Sequence, residues 1–220
     1  MEKEIRNYEI DFRYSPETRT IEGRAIPFNV ASPNREGFRE IIAPEAVEGV
    51  IERSDIKFYY NHDNTQGFLA RNNKGKGSLK IDVREDGVYF SFEAGKDNLS
   101  EYVYERLQRG ELNEMSWAFT AKEQTWTRND EGVAVRTITK FDRLYDFSVV
   151  DTSYYGIENV VSCRSFEEFK EEEARKAAEE AERLAQEQRD AEEKAKEEIA
   201  EQLAAYYSNL RQENDKYLKK

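Results

Sequence analysis

The sequence predicts a mainly β domain with helices, of the α+β class, followed by a long C-terminal helix. Two observations favour the β domain: short segments alternate apolar and polar residues with a period of two, and turn residues separate many of them. A third observation predicts the helix, since all 11 glycines and all 4 prolines lie at or before Gly156. We therefore divide the chain into a domain of residues 1–165 and a helical tail of residues 166–220.

The alternation predicts strands at short intervals along the first domain. They cover Tyr8–Phe12, Thr20–Ile26, Phe38–Ile42, Ile56–Asn61, Ser78–Val83, Val88–Glu93, Met115–Thr127, Val133–Phe141, Leu144–Asp151 and Val160–Cys163. Turn signals such as Ser15–Thr18 and Glu85–Gly87 separate neighbouring strands. This spacing predicts an antiparallel barrel or sandwich.

Two helices are expected between the strands. Pro44 is expected to open a short helix that reaches Ile51. Asn98 is expected to cap a longer helix that stops at Gly110. The apolar face of the longer helix is predicted to contain Leu99, Tyr102, Val103 and Leu107.

The tail has the composition of a single long helix. From Phe166 onward it carries 17 acidic and 11 basic residues, and pairs such as Glu172–Lys176 could support a helix in water. Apolar residues that include Leu184 and Leu203 recur at steps of three or four residues. We expect a solvated or loosely coiled helix. Its alanine-rich first half should self-associate only weakly, whereas the second half is better supplied with apolar residues, so the chain could self-associate through the tail.

Charge and hydropathy exclude several classes of partner. A net charge of −12 and a pI near 4.9 oppose binding to phosphate backbones, so nucleic acid is not an expected partner. No run approaches the roughly 18 apolar residues of a membrane helix, and Met1–Arg6 lacks a signal core. We expect a soluble, cytoplasmic protein that has no membrane partner.

The chain contains one cysteine, Cys163, which excludes an intramolecular disulfide and indicates a reducing compartment. Its only basic neighbour is Arg164, so we expect an inert thiol rather than a nucleophile. One cysteine and one histidine cannot assemble a typical zinc set. The sequence therefore predicts no metal and no cofactor.

His62 is the only histidine, and it follows the apolar run that starts at Ile56. It is the one side chain expected to exchange protons near neutral pH, although a lone histidine is commonly structural. Counting from Ile56 and Phe58 places His62 in phase with the apolar face. It must lie beyond the end of regular strand pairing, or the phase must change there.

A serine and a carboxylate are candidates to join His62. Alternation with Met115 and Trp117 turns Ser116 away from the core, and the same test turns Asp146 outward. Both are expected on one outer surface. A serine hydroxyl needs a base, and that base needs a third group to orient it. On the residues alone, Ser116 could be an ordinary strand residue and Asp146 a surface acid.

Several segments together resemble a known family. They are Glu22–Phe28, Phe38–Val47 (similar to F-x-E-x-I-x-P-G-A-F), Asn61-His62-Asp63, Arg109–Phe119 (similar to R-x-G-x-(x)-G-M-S-F-G-F) and Leu144–Val150 (similar to L-x-E-V-S-L-V). In this order and spacing they resemble the prohead, or procapsid maturation, proteases of tailed bacteriophages, which are related in fold to the herpesvirus assemblin proteases. Glu114 and Ala118 stand where that family usually has glycine.

The resemblance implies an assemblin-like antiparallel β-barrel and a serine endopeptidase without a cofactor. It makes Ser116 the nucleophile and His62 the general base. Asp146 stands where the family has glutamate and is expected to be the third member, with Asp151 as the alternative.

The implied substrates are scaffold segments of the capsid precursor and the protease itself. The implied partners are the major capsid protein precursor or a scaffold protein, inside the assembling procapsid in the host cytoplasm. Two other readings stay open: a non-enzymatic assembly or scaffolding protein, and a hydrolase of small esters. A sharper hypothesis for the tail is that it docks on scaffold or capsid precursor during assembly, or is itself removed by self-cleavage.

Overall fold

A computed structural model describes residues 3–9, 12–34, 37–151 and 163–217 of the chain. The chain divides into two compact units, Met1–Cys163 and Arg164–Lys220. Among the described residues the class is mixed, with two β-sheets and three short helical segments in the first unit and one long helix in the second. Within the described ranges, no helix combines the length and the hydropathy that spanning a membrane would require.

The strands of the first unit are numbered in chain order and form two sheets. The six-stranded sheet contains β1 (Glu4–Glu9), β4 (Phe38–Ile42), β5 (Asp55–Tyr60), β6 (Ala70–Asn73), β9 (Glu114–Arg128) and β10 (Ala134–Val150). The four-stranded sheet contains β2 (Arg13–Ser15), β3 (Thr20–Pro27), β7 (Lys80–Arg84) and β8 (Gly87–Glu93). Aromatic rings join the two sheets in one apolar core, in which Phe58 of β5 packs at 4.8 Å from Phe90 of β8.

The strand directions correct the all-antiparallel expectation. The larger sheet has the order β1-β9-β10-β5-β6 with β4 also on β10, and β10 runs parallel to both β4 and β5. Alternation assigns side chains to faces but does not fix the direction of the neighbouring strand. Among the pairings of described residues neither sheet closes on itself, so the closed barrel stays a prediction.

Two predicted strands are in fact one. The segments Val133–Phe141 and Leu144–Asp151 belong to the 17-residue strand β10, which pairs with β9 along its length. Bulges between Ile138 and Asp146 shift the register against β9. These bulges change the phase of alternation, and they explain why the sequence pattern is interrupted there.

The helices begin and end differently from the expectation. Gly49, in the left-handed region with φ of 62°, divides the segment after Pro44 into a 3₁₀ turn (Pro44–Val47) and helix α1 (Val50–Arg53). Helix α2 spans Asn98–Gln108, and its cap is Asp97, whose carboxylate accepts a hydrogen bond from the Ser100 amide. Its predicted face is partly wrong, because Tyr104 is buried and Tyr102 is exposed.

Helix α3 (Cys163–Tyr217) supplies the second unit and contains 55 residues, a length of about 80 Å. The predicted pair Glu172–Lys176 forms at 3.3 Å, and Arg175 also contacts Glu172 at 2.6 Å. Leu184, Ile199, Leu203 and Tyr206 are exposed on α3. The predicted strand Val160–Cys163 lies outside the described residues apart from Cys163, which begins α3. The side chain of Cys163 is also outside them, and coiling of the tail stays a prediction.

Candidate active site

The chain turns sharply at Asn61 and His62, and this turn explains why His62 does not follow the alternation of β5. Strand β5 ends at Tyr60, and both Asn61 and His62 adopt left-handed backbone angles, with φ of 52° and 55°. The Asn61 amide donates to the Val149 carbonyl at 2.9 Å, so the turn is attached to the end of β10. Non-glycine residues are uncommon in this region and tend to be held there at functional sites. The turn redirects the His62 ring out of the alternation of β5.

Strands β9 and β10 carry the other two predicted residues. Ser116 of β9 lies opposite Ser148 of β10, and Asp146 lies opposite Ala118. Residues two apart on β10 share a face, so Asp146 and Ser148 point to the same side as Ser116.

The three predicted side chains form one hydrogen-bonded row. His62 Nε2 lies 2.6 Å from Ser116 Oγ, and His62 Nδ1 lies 2.5 Å from Asp146 Oδ1. These residues are 54 and 84 positions apart in sequence from His62. We call His62, Ser116 and Asp146 the polar row.

The expectation that Ser116 and Asp146 lie on an outer surface is wrong. Ser116 is 1% exposed and Asp146 is 3% exposed, whereas the His62 side chain is 17% exposed. Lys3 reaches Asp146 from the N-terminal segment, and Ser116 contacts the Arg6 carbonyl of β1, the strand that pairs with β9. Alternation alone cannot predict these long-range contacts.

Asp146 is held in its charged form. Burial alone would raise the pKa of Asp146, but the hydrogen bond and charge of His62, together with Lys3, outweigh burial and lower it. The Lys3 ammonium lies 3.3 Å from Asp146 Oδ2. A carboxylate only accepts hydrogen bonds, so neutral His62 places its proton on Nδ1 and presents the lone pair of Nε2 to Ser116.

Ser116 has two acceptors for a single hydroxyl hydrogen. Its Oγ lies 2.6 Å from His62 Nε2 and 2.9 Å from the Arg6 carbonyl oxygen. When the hydrogen points to Nε2, the imidazole can remove it as Oγ attacks an electrophile. When it points to Arg6, the hydroxyl is turned away from its base. The arrangement can therefore perform nucleophilic chemistry once the hydrogen is directed to His62.

Asp151, the alternative carboxylate, lies in a different set of contacts. Its Oδ2 accepts a hydrogen bond from the Tyr60 hydroxyl at 2.8 Å, and its amide donates to Asn61 Oδ1 at 3.1 Å. Asp151 thus ties the end of β10 to the turn before His62. Asp146 is the carboxylate that lies within 2.5 Å of the imidazole.

A second buried polar cluster fixes β1 beside the polar row. Its four members, which we call the ion quartet, are Glu4, Arg6, Glu40 and Arg136. Arg6 makes two hydrogen bonds to Glu40 at 2.5 and 2.7 Å, and Arg136 bonds Glu4 at 2.5 and 2.9 Å. Burial would raise the pKa of Glu40, but the two arginines outweigh it and lower it.

Several residues that contact the polar row were not predicted from the sequence. For Ser148 the sequence contains an indication, because Ser148 lies two residues after Asp146 on the same strand and therefore shares its face. For Lys3 and Arg6 it contains none, because their contacts with Asp146 and Ser116 span more than 100 residues. In the part of the chain that the structure describes, no group of three His, Cys, Asp or Glu residues is arranged to hold a metal.

Comparison with known proteins identifies the family. The family model described as caudovirus prohead serine protease matches residues 6–172, about three quarters of the chain. No curated protein matches the sequence. One similar solved structure is the capsid assembly protease of bacteriophage T4, with 11% identity and a TM-score of 0.40 over 68% of this chain and 99% of that one. From the extent of the family match, the chain belongs to the caudovirus prohead serine proteases, a family of phage capsid maturation.

Proposed function

We propose that this member of the prohead serine protease family is a serine endopeptidase that cuts scaffold segments of the capsid precursor and cuts itself. The observation that carries the proposal is the polar row, in which one imidazole lies 2.6 Å from a serine hydroxyl and 2.5 Å from a carboxylate. This is the geometry that general-base activation of a serine requires.

In the proposed mechanism, Ser116 Oγ attacks the scissile carbonyl carbon while His62 Nε2 takes the hydroxyl proton. Asp146 stabilises the imidazolium that forms, because its carboxylate accepts from Nδ1. His62 then gives the proton to the leaving amine as the peptide C–N bond breaks. Water, activated by the same imidazole, hydrolyses the acyl-enzyme and restores the Ser116 hydroxyl.

The proposed partners follow from the family. They are the major capsid protein precursor or a scaffold protein, met inside the assembling procapsid in the host cytoplasm. We propose further that α3 either docks on one of these partners or is removed by self-cleavage. Its exposed apolar side chains and dense charge suit a role in assembly.

The test is co-expression of the chain with its neighbouring capsid gene product, followed by mass spectrometry. Ser116→Ala should lower cleavage on the order of 10⁶-fold, to background, without loss of folding. The masses of the wild-type products report the cleavage sites and any processing of α3. Cleavage retained in a folded Ser116→Ala variant would reject the assignment.

A non-enzymatic assembly protein is the second candidate, and the exposed apolar side chains of α3 favour it. A fluorophosphonate probe, which labels activated serines covalently, separates the two candidates. Stoichiometric labelling of wild type at Ser116 supports the protease. No labelling under assembly conditions supports the scaffold.

A further inference from the structure

Strand β10 carries a fourth polar side chain that contacts the polar row. Ser148 is 0% exposed, and its Oγ lies 3.1 Å from His62 Nδ1 and 3.2 Å from Asp146 Oδ1. Both of these partners belong to the polar row.

We propose that Ser148 is a positioning residue that holds the Asp146 carboxylate in the orientation in which Oδ1 faces His62. The proposal rests on the proposed function, because it concerns the same reaction. Ser148 acts through Asp146 and His62 rather than on the substrate.

The first support for this role is the freedom of the Asp146 carboxylate to rotate. The terminal torsion of an aspartate is broad, so Asp146 needs fixed donors to keep one oxygen on the imidazole. The Lys3 ammonium lies 3.3 Å from Oδ2, but the Lys3 side chain is long and 46% exposed. Ion pairs with an exposed lysine contribute little energy, so Lys3 alone is not expected to fix the orientation of the carboxylate. Ser148 is the buried donor that reaches Oδ1, the oxygen that also accepts from Nδ1.

The second support is the rigidity of Ser148, which is paired on both sides. Its position in β10 is set by pairing with Ser116 of β9 on one side and Tyr59 of β5 on the other. The side chain has one torsion between the main chain and the hydroxyl oxygen. Because strand pairing already fixes the Ser148 main chain, its hydroxyl can hold the Asp146 carboxylate with little further loss of side-chain conformational entropy.

The third support is the direction in which the Ser148 hydroxyl hydrogen points. Because Asp146 only accepts, the Ser148 hydroxyl donates to Oδ1 and turns an oxygen lone pair toward His62 Nδ1. The Nδ1 hydrogen then meets two acceptors, at 2.5 and 3.1 Å. Both contacts favour the tautomer in which Nε2 is free to receive the Ser116 proton.

The test is Ser148→Ala in the full chain, assayed on a peptide that spans the cleavage site found by mass spectrometry. We expect kcat to fall about tenfold to a hundredfold, the range for removing a hydrogen bond to a charged group, with KM unchanged. Ser148→Thr keeps the hydroxyl and should recover most of the lost kcat. Lys3→Ala, which removes the exposed donor, should lower kcat less than Ser148→Ala.

A spectroscopic readout separates positioning from a general structural effect. His62 is the only histidine, so its Nδ1 proton gives an unambiguous NMR signal. In Ser148→Ala this signal should move or broaden, since Oδ1 accepts from one donor instead of two. Ser54→Ala is the matched control: Ser54 is also buried, at 3% exposed, and its hydroxyl finds no partner among the described residues. It should leave both kcat and the signal unchanged.

Melting curves show which variants are folded, and rates are scaled to folded protein. The proposal is overturned if folded Ser148→Ala keeps kcat within twofold and the His62 signal unchanged, or if Ser148→Thr is no better than Ser148→Ala. This failure differs from failure of the proposed function. In that case, Ser116→Ala itself would keep cleaving.

Discussion

Two buried polar clusters share strand β10, and they differ in the groups that they pair. The ion quartet joins two carboxylates to two guanidiniums, and its side chains are at most 7% exposed. The polar row joins one carboxylate to an imidazole and a hydroxyl. The quartet therefore pairs opposite charges with each other, whereas the row places a hydroxyl beside a nitrogen that can accept its proton.

Strand β1 connects the two clusters through one residue. The Arg6 guanidinium belongs to the ion quartet, and the Arg6 carbonyl lies 2.9 Å from Ser116 Oγ. The buried charges thereby hold the main chain whose carbonyl contacts the Ser116 hydroxyl. Under the proposed function, we expect the ion quartet to act mainly on stability and the polar row mainly on the reaction.

The largest expected effect separates the two candidate carboxylates of the site. Asp146→Asn should lower kcat on the order of 10⁴-fold, because an amide can donate to Nδ1 and favours the wrong tautomer of His62. Asp151→Asn should lower it less than about tenfold, since its carboxylate accepts from Tyr60. The measurement is kcat on the cleavage-site peptide. If Asp151→Asn is the more damaging change, Asp151 and not Asp146 is the third member.

The next effect should appear in stability rather than in chemistry. Glu40→Gln removes one charge from the ion quartet and leaves Arg6 and Arg136 partly uncompensated in a buried site. We expect the free energy of unfolding to fall by about 3–5 kcal/mol, measured by urea denaturation. The kcat of the folded fraction should stay near that of wild type.

Glu85→Gln is the matched control for this change, because Glu85 is exposed in a turn. It should alter the free energy of unfolding by no more than about 0.5 kcal/mol. A Glu40→Gln variant that is as stable as wild type, yet has lost kcat at full folding, would contradict the division between the two clusters.

The sequence predicted local features of the fold better than long-range ones. Most strands were found because alternation is local, but the short strands β2 and β6 were missed since few residues carry the pattern. The parallel pairing of β10 with β4 and β5 was missed because it depends on how distant segments meet. A closed barrel stays a prediction.

In the candidate site, too, local features were predicted and long-range contacts were not. The alternation of β9 and β10 placed Ser116 and Asp146 on one face, and the structure brings both to His62. Their burial could not be predicted, because it includes contacts with Lys3 and Arg6, which lie more than 100 residues away in sequence. The roles assigned to these residues in the reaction stay predictions.

The smallest expected effect is the acid dependence of stability. The pKa of Asp146 lies below its ordinary value: burial would raise it, but His62 and Lys3 outweigh burial. A carboxylate of this kind adds stability at pH values above its unfolded pKa of about 4, and loses it as the pH falls through the folded pKa. Asp146→Asn should therefore flatten the dependence of unfolding free energy on pH below about pH 4, by up to about 1.4 kcal/mol per pH unit.

Urea denaturation between pH 2.5 and pH 6 measures this slope for each variant. Ser116→Ala should keep the acid slope of wild type, because a serine does not titrate in this range. Glu40→Gln should also flatten the slope, since the pKa of Glu40 is lowered by its two arginines. The arginines of the ion quartet keep their charge throughout this pH range. If Asp146→Asn and wild type have equal slopes, the charge of Asp146 contributes nothing to folding, and the polar row differs from the ion quartet even more than proposed.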